Sequence, residues 1–292
     1  MTIAPELLPI YKKVFFPYAN EAVERMQAQG GRFAYYTTAA TAMLILKSRA
    51  MWMRGTMVMN DSSEIEHGLS CVLSALKSDV GSQLEKVLDK QYPGLTKEVV
   101  DSFVAWAPGF SSDTFILCLS EHFSPDDAYG RLSMWRAYGG EAGVALVING
   151  NVMFRESDAL AAYSMPVAYL DERGLRKKLT ELVSGIGMNV DLLKAIGRQA
   201  TCNAIFNILR FATVCTKHPA FEEEREWRVV ASPALQRSPL VPVTVEAVGG
   251  IPQRVLKIEL KDHPDQGLIG LEPDKLVDRV LIGPCEHADA IG

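Results

Sequence analysis

The densest stretch of chemistry-bearing residues is Glu222-Glu223-Glu224-Arg225-Glu226-Trp227-Arg228, which runs straight into the apolar Val229-Val230. In a strand, alternate residues share a face, so Glu224, Glu226 and Arg228 are expected on one side and Arg225 and Trp227 on the other. Two carboxylates two residues apart repel and raise one another's affinity for a proton, which suits acid–base work or stabilisation of an oxocarbenium ion. The plainer alternative is a solvated strand entrance.

Tyr35-Tyr36-Thr37 stands where a strand gives way to a helix. Free backbone N–H and C=O groups beside a flat ring would suit the amide and ring of a nicotinamide; ordinary core aromatics are the competing reading. Met134-Trp135-Arg136-Ala137-Tyr138-Gly139-Gly140 offers a pocket wall of Trp135 and Tyr138 with close backbone approach at the glycines, or one buried helical turn. Asn60-Asp61 with Glu64 reads as a helix cap, and Glu64 with His67 as one helix face. No second Glu-x-x-His follows, so no metal is expected, and the scattered histidines are assigned no catalytic part.

The elements that must position these residues can be read from periodicity. Apolar residues recur at three- and four-residue steps from Pro5 to Gln29, predicting an amphipathic N-terminal helix, an extension over residues 1–31 that the Gly30-Gly31 pair stops. Phe33 to Thr37, Ala39 to Ser48 and Ala50 to Met53 read as strand, helix, strand. Helical pattern then runs from the Asn60 cap towards Lys90, with another helix after Pro93-Gly94. Thr114 to Ser120 and Gly143 to Ile148 are short apolar runs that suit central strands. Two helices are expected within 171–216, inserted into a sheet protein, and the last strands are Glu226 to Ala231, Val255 to Leu260 and Arg279 to Ile282, separated by proline-rich links. A further helix is expected to begin after Gly283-Pro284. The irregular order points to a single α+β domain over residues 32–292, with small twisted mixed or antiparallel sheets.

Composition narrows the function classes. Thirty basic against thirty-five acidic residues give a formal charge of −5, the wrong sign for a protein that grips phosphate backbones, although a small basic patch such as Arg131 with Arg136 remains. Five widely spaced cysteines without a C-x-x-C pair suit neither a disulfide framework nor a zinc ribbon, and a reducing cytoplasm is the expected home. The charged N-terminus and the lack of a long uncharged apolar run disfavour a signal peptide and a membrane span. No phosphate-binding loop, dinucleotide fingerprint, H-E-x-x-H or G-x-S-x-G occurs, which disfavours the usual nucleotide triphosphatases, Rossmann dehydrogenases, zincins and elbow-type hydrolases.

Taken in order, Tyr36-Thr37, Leu46-Lys47-Ser48 with Met51-Trp52, Asn60-Asp61-x-x-Glu64, Cys118-Leu119-Ser120-Glu121, Met134-Trp135-x-x-Tyr138, Glu224-x-Glu226-Trp227-Arg228 and Ile282-Gly283-Pro284 resemble the bacterial domain-of-unknown-function 2971 family (DUF2971), over about residues 33 to 285. That family brings no settled activity. The opening pattern also looks like the start of ADP-ribosyltransferase folds, among them phage-defence and toxin–antitoxin members.

This second resemblance implies an ADP-ribosyltransferase-like fold and an NAD-consuming enzyme, with NAD as substrate and no metal. Glu226 would be the late catalytic glutamate and Glu224 its E-x-E partner; Tyr35, Tyr36 and Thr37 would hold the nicotinamide end, Ser120 would sit on the middle strand, and Asn60, Trp135 and Tyr138 complete the set of cofactor-binding candidates. Where such enzymes carry His or Arg on the first strand, this chain has Tyr35 or Tyr36, with Arg32 close by. The expected acceptor is a protein or small molecule rather than nucleic acid, and a neutralising antitoxin is an implied partner. An NAD glycohydrolase and a non-catalytic nucleotide-binding sensor are the alternatives.

Overall fold

The computed structural model describes residues 3–58, 62–155 and 157–285. In chain order its first elements are α1 (Leu8–Phe15), α2 (Pro17–Ala28), β1 (Arg32–Thr38), α3 (Ala39–Ser48) and β2 (Ala50–Gly55). Next come α4 (Ser62–Leu76), α5 (Asp79–Gln91), α6 (Leu95–Ser112), β3 (Phe115–His122), α7 (Leu132–Met134), β4 (Gly143–Ile148) and α8 (Gly150–Met153). The rest are β5 (Ala162–Pro166), β6 (Ala168–Tyr169), α9 (Glu172–Met188), α10 (Val190–Val214), β7 (Thr216–Lys217), β8 (Glu226–Ala231), β9 (Val243–Val248), β10 (Ile251–Glu259), α11 (Pro273–Leu276) and β11 (Val277–Ile282). Among the described residues no helix is long and apolar enough to cross a membrane.

By internal contacts the chain divides into two compact units, one of Met1–Ala22, Asn60–Ser112 and Val167–Phe221, the other of Val23–Met59, Asp113–Pro166 and Glu222–Gly292. The first unit is helical, with one short parallel pair, β6 with β7. Its α4 packs on α10 without a side chain between the backbones: a Cβ built on Gly68 would lie 2.1 Å from the Thr213 carbonyl oxygen. Val80, Leu84 and Leu88 recur every four residues on α5 and are buried, the stripe that makes an amphipathic helix dock. Lys217 and Glu64, both buried, form an ion pair at 2.7 Å, and the Lys217 ammonium lies 4.8 Å from the centre of the Phe221 ring.

The second unit holds a nine-stranded antiparallel sheet whose centre is β3. One edge of β3 pairs with β8, Phe115 to Ser120 facing Ala231 to Glu226. The other edge forks: Arg32 to Ala34 of β1 pair with His122 to Ser120, while Arg54 and Gly55 of β2 pair with Ile116 and Phe115. One arm continues β1–β4–β11, the other β2–β10–β9, and β5 adds to β8 on the far side. Strands β4 and β8 are buried at every position, as strands covered on both faces should be.

The α+β class and the antiparallel pairing agree with the sequence reading. Several boundaries do not. The expected single helix from Pro5 to Gln29 is broken, because Pro17 keeps Phe16 out of the helical region, at φ −132° and ψ 51°. The run towards Lys90 is two helices, since the Ser78 hydroxyl accepts the Val80 N–H at 3.3 Å and starts α5 afresh. The proline-rich link after residue 231 contains β9, an edge strand whose half-exposed positions leave little apolar signal. The expected cap at Asn60-Asp61 and the helix start after Pro284 lie, at residues 60–61 and beyond 285, outside the described residues.

Candidate functional site

Register brings three of the expected residues onto one face of the sheet. Ala34 of β1 faces Ser120 of β3, and Ser120 faces Glu226 of β8. Tyr36 follows two residues along β1 and shares that side. Ser120, Tyr36 and Glu226 are all buried, at 1%, 6% and 6% exposure.

Arg131 ties this face together. Its backbone N–H donates to the Tyr36 hydroxyl at 3.1 Å, and its guanidinium donates to the Ser120 hydroxyl and to the carbonyls of Glu223 and Glu224. Ser120 in turn donates to the Glu224 carbonyl. Every one of these acceptors is neutral, and among the described residues Arg131 has no carboxylate partner. Arg131 Nε and, two residues on, Ser133 Oγ are buried with no hydrogen-bond partner.

Glu226 faces a different cation. Arg228 Nε lies 2.7 Å from Glu226 Oε1, with Arg228 Nη2 3.4 Å from Oε2, and Arg228 is 1% exposed. Two residues apart on one strand, the opposite charges meet on the same face and neutralise one another in the interior.

Glu224 is not the strand partner expected for Glu226. It ends a 3-10 helix, Pro219–Glu224, and Arg225 adopts a left-handed φ of 45° before β8 begins. That turn interrupts the alternation, so Glu224 enters the site through its backbone carbonyl. Trp227 does take the opposite face, where its Nε1 donates to Glu121 Oε1 at 2.9 Å; Arg25 clamps the same carboxylate at 2.6 and 3.0 Å.

The aromatic candidates separate. The Tyr36 ring meets Trp135 edge-on at 4.7 Å, within a buried cluster that includes Ala34, Met134 and Ala145. The expected stacking platform is therefore buried and used in packing. Burial pushes the Tyr36 phenol above its usual range, with Arg131 pulling the other way. Trp135 is held by donation of Nε1 to the Tyr129 carbonyl at 2.7 Å, whereas Tyr138, three residues along a π-helical turn, is 42% exposed. The expected common face of Trp135 and Tyr138 is lost because a π turn advances fewer degrees per residue than an α turn.

Tyr35 and Thr37 occupy the other face of β1, at the fork of the sheet. Burial raises the Tyr35 phenol, the neighbouring Cys118 adds to this, and Arg54 and a hydrogen bond with Thr37 oppose it. These two residues are thus parted from Tyr36. Asn60 lies outside the described residues.

Glu64 and His67 are accounted for within the helical unit, Glu64 by Lys217 and His67 by the Leu170 carbonyl at 3.0 Å from Nε2. Among the described residues no group of three or more His, Cys, Asp or Glu side chains could hold a metal ion. The five cysteines, all among the described residues, form no disulfide.

Residues 134–229, the stretch from Met134 through Glu226 and Arg228, match a known family. It is DUF2971, described as a protein of unknown function. The resemblance read from the short motifs is shown for DUF2971 over those residues, while the motifs at Tyr36, Met51-Trp52, Asn60-Asp61, Cys118-Glu121 and Ile282 lie outside the match. Neither curated proteins nor solved structures give a match.

Sequence reasoning named Arg131 only as part of a small basic patch and, although it set Arg228 on the face of Glu226, took Glu224 as that residue's partner. The E-x-R spacing leading into an apolar strand was the available signal: opposite charges on one face of a buried strand must meet. Nothing local announces Arg131, whose partners are 92 to 95 residues away, apart from the neighbouring Ser120 at 11.

Proposed function

We propose that the face formed by β1, β3 and β8 is the site of an NAD-consuming, ADP-ribosyltransferase-like enzyme. The observation that supports this reading is the register of Ala34, Ser120 and Glu226 across three strands, with Arg131 joining Ser120 to the Tyr36 hydroxyl. A sheet that forks at its middle strand is consistent with the two small sheets of that fold class.

The residues fit NAD in charge. Arg131 offers a guanidinium compensated only by neutral groups, suited to the diphosphate, and stands in for a first-strand cation, because Arg32 at the start of β1 is held by Asp127 and Asp278. Tyr36 positions Arg131 through its hydroxyl and does not stack on nicotinamide. Glu226 is the carboxylate that stabilises positive charge developing on the ribose as the bond to nicotinamide breaks, more strongly than it stabilises the ground state. Arg228 holds that carboxylate in one orientation. A protein or small-molecule acceptor makes the enzyme a transferase, and water makes it a glycohydrolase.

The Glu226–Arg228 pair favours one second reading, a non-catalytic nucleotide-binding sensor, because the carboxylate is already neutralised. Incubation with NAD separates the two. Nicotinamide release that Glu226→Gln abolishes, in a variant that still folds and binds NAD despite the stability lost with the Arg228 partner, supports the enzyme. Release at the wild-type rate from Glu226→Gln overturns the assignment of the glutamate. No release, with NAD raising the melting temperature, supports the sensor.

A further inference from the structure

A cavity of about 370 Å³ lies in the sheet unit, apart from Tyr36, Ser120 and Glu226. Its volume falls at the lower end of the range of small-molecule sites, roughly 300–1,000 Å³. The walls come from the end of β8, the proline-punctuated loop that follows, the start of β9, the middle of β10 and the residues just before β5.

The floor is apolar and buried: Ala161, Ala231, Val241 and Leu256 are each less than 7% exposed. The rim is charged. Arg254 stands 5.4 Å from the centre of the Phe115 ring and reaches Asp113 Oδ1 only at 3.4 Å. The other Asp113 oxygen accepts the Ala234 N–H at 2.7 Å. Arg237 donates to the Pro233 carbonyl at 3.3 Å and has no carboxylate partner among the described residues. Two arginines therefore line the cavity against one aspartate whose carboxylate is already in use.

The walls are pinned. The Tyr163 hydroxyl donates to Gln236 Oε1 at 2.7 Å, and Ser238 bonds to the Ala159 carbonyl while accepting the Leu240 N–H at 3.0 Å. Ala161 holds a φ of +48° on the floor, a strained conformation for an L-residue with a Cβ and one that clusters at ligand sites.

We propose that this cavity binds a small monocarboxylate with a branched or aromatic body. The body rests on Ala161, Ala231, Val241 and Leu256, and the carboxylate bridges Arg237 and Arg254. A guanidinium fork matches a carboxylate in shape and charge. One surplus positive charge calls for a monoanion, and the apolar floor rejects a bare inorganic anion. The site is independent of the NAD reading and stands or falls without it.

The experiment is ligand-observed NMR and calorimetry on the full chain with benzoate, its uncharged counterpart benzamide, and inorganic phosphate. Benzoate should bind saturably, with benzamide and phosphate at least about tenfold weaker, the ratio expected from losing one charge-assisted hydrogen bond or the apolar contact. Arg237→Gln and Arg254→Gln, both at exposed positions that leave the fold intact, should each weaken benzoate by a similar factor. Equal binding of benzoate and benzamide, equal binding of phosphate, or unchanged affinity in both variants overturns the proposal.

Discussion

Arg228 and Glu226 meet through Nε and Oε1 at 2.7 Å, two residues apart on a strand buried at every position. Removing one partner of such a pair leaves a charge in the interior, which typically costs about 3–5 kcal/mol. Arg228→Met should therefore lose stability in that range, measured by urea unfolding. Adding Glu226→Gln to it should recover a substantial part. If the two losses simply add, the charges are not coupled across the strand.

Tyr36 serves as a packing and hydrogen-bonding residue. Tyr36→Phe keeps the ring against Trp135 and removes only the acceptor for the Arg131 N–H. The expected cost is about 1 kcal/mol of unfolding free energy. Tyr36→Ala should cost about 3–5 kcal/mol, as for other large aromatic truncations. A Tyr36→Ala protein as stable as wild type would show that the ring is not part of the core.

Gly68 marks the closest approach of α4 to α10. Gly68→Ala would place a methyl group 2.1 Å from the Thr213 carbonyl oxygen, a backbone atom that no side-chain rotation can move aside. Overpacking of this kind costs about 1–3 kcal/mol, and more where backbone must shift. Circular-dichroism melting should show a lower Tm. Gly185→Ala on α9, where a Cβ meets nothing within 4 Å, should be neutral or stabilising.

His122 makes stability depend on pH. Its side chain is fully buried, with Nε2 2.8 Å from Asp127 Oδ1 and Nδ1 without a partner. Burial holds its pKa below the ordinary histidine value; Arg32 adds to this and Asp127 opposes it. Below a pH of about 6.5 the unfolded chain takes up a proton that the folded chain refuses, so stability falls as pH drops through that window. Urea midpoints at pH 7.5 and 5.5 should differ more in wild type than in His122→Gln. The same slope in both would remove His122 as the cause.

Much of the fold was legible in the chain because local patterns decide local structure. Phe33-Ala34-Tyr35-Tyr36-Thr37, the Ala39 to Ser48 helix and the apolar runs at 114–120 and 143–148 each became the expected element. Where a single residue overrides a pattern, as Pro17 and Ser78 do, the elements were right and the boundaries shifted. Glu226, Ser120 and Glu224 were all named from the sequence by residue type; the placement of Glu224 relative to the face of Glu226 was not legible, because the left-handed Arg225 just before the strand obeys no periodicity.

What sequence alone determined is the α+β class, most of the elements and the face on which Glu226 and Arg228 lie, since strand alternation is a property of the backbone. Tertiary structure alone decided which strands are neighbours. Pairing between segments as distant as 34, 120 and 226 depends on the whole sheet closing at once, and so does the arrival of Arg131 between Ser120 and Tyr36. The fork at β3, the cavity beneath Arg237 and Arg254 and the fate of each charge follow from that closure, because a charge finds its partner only when burial takes water away.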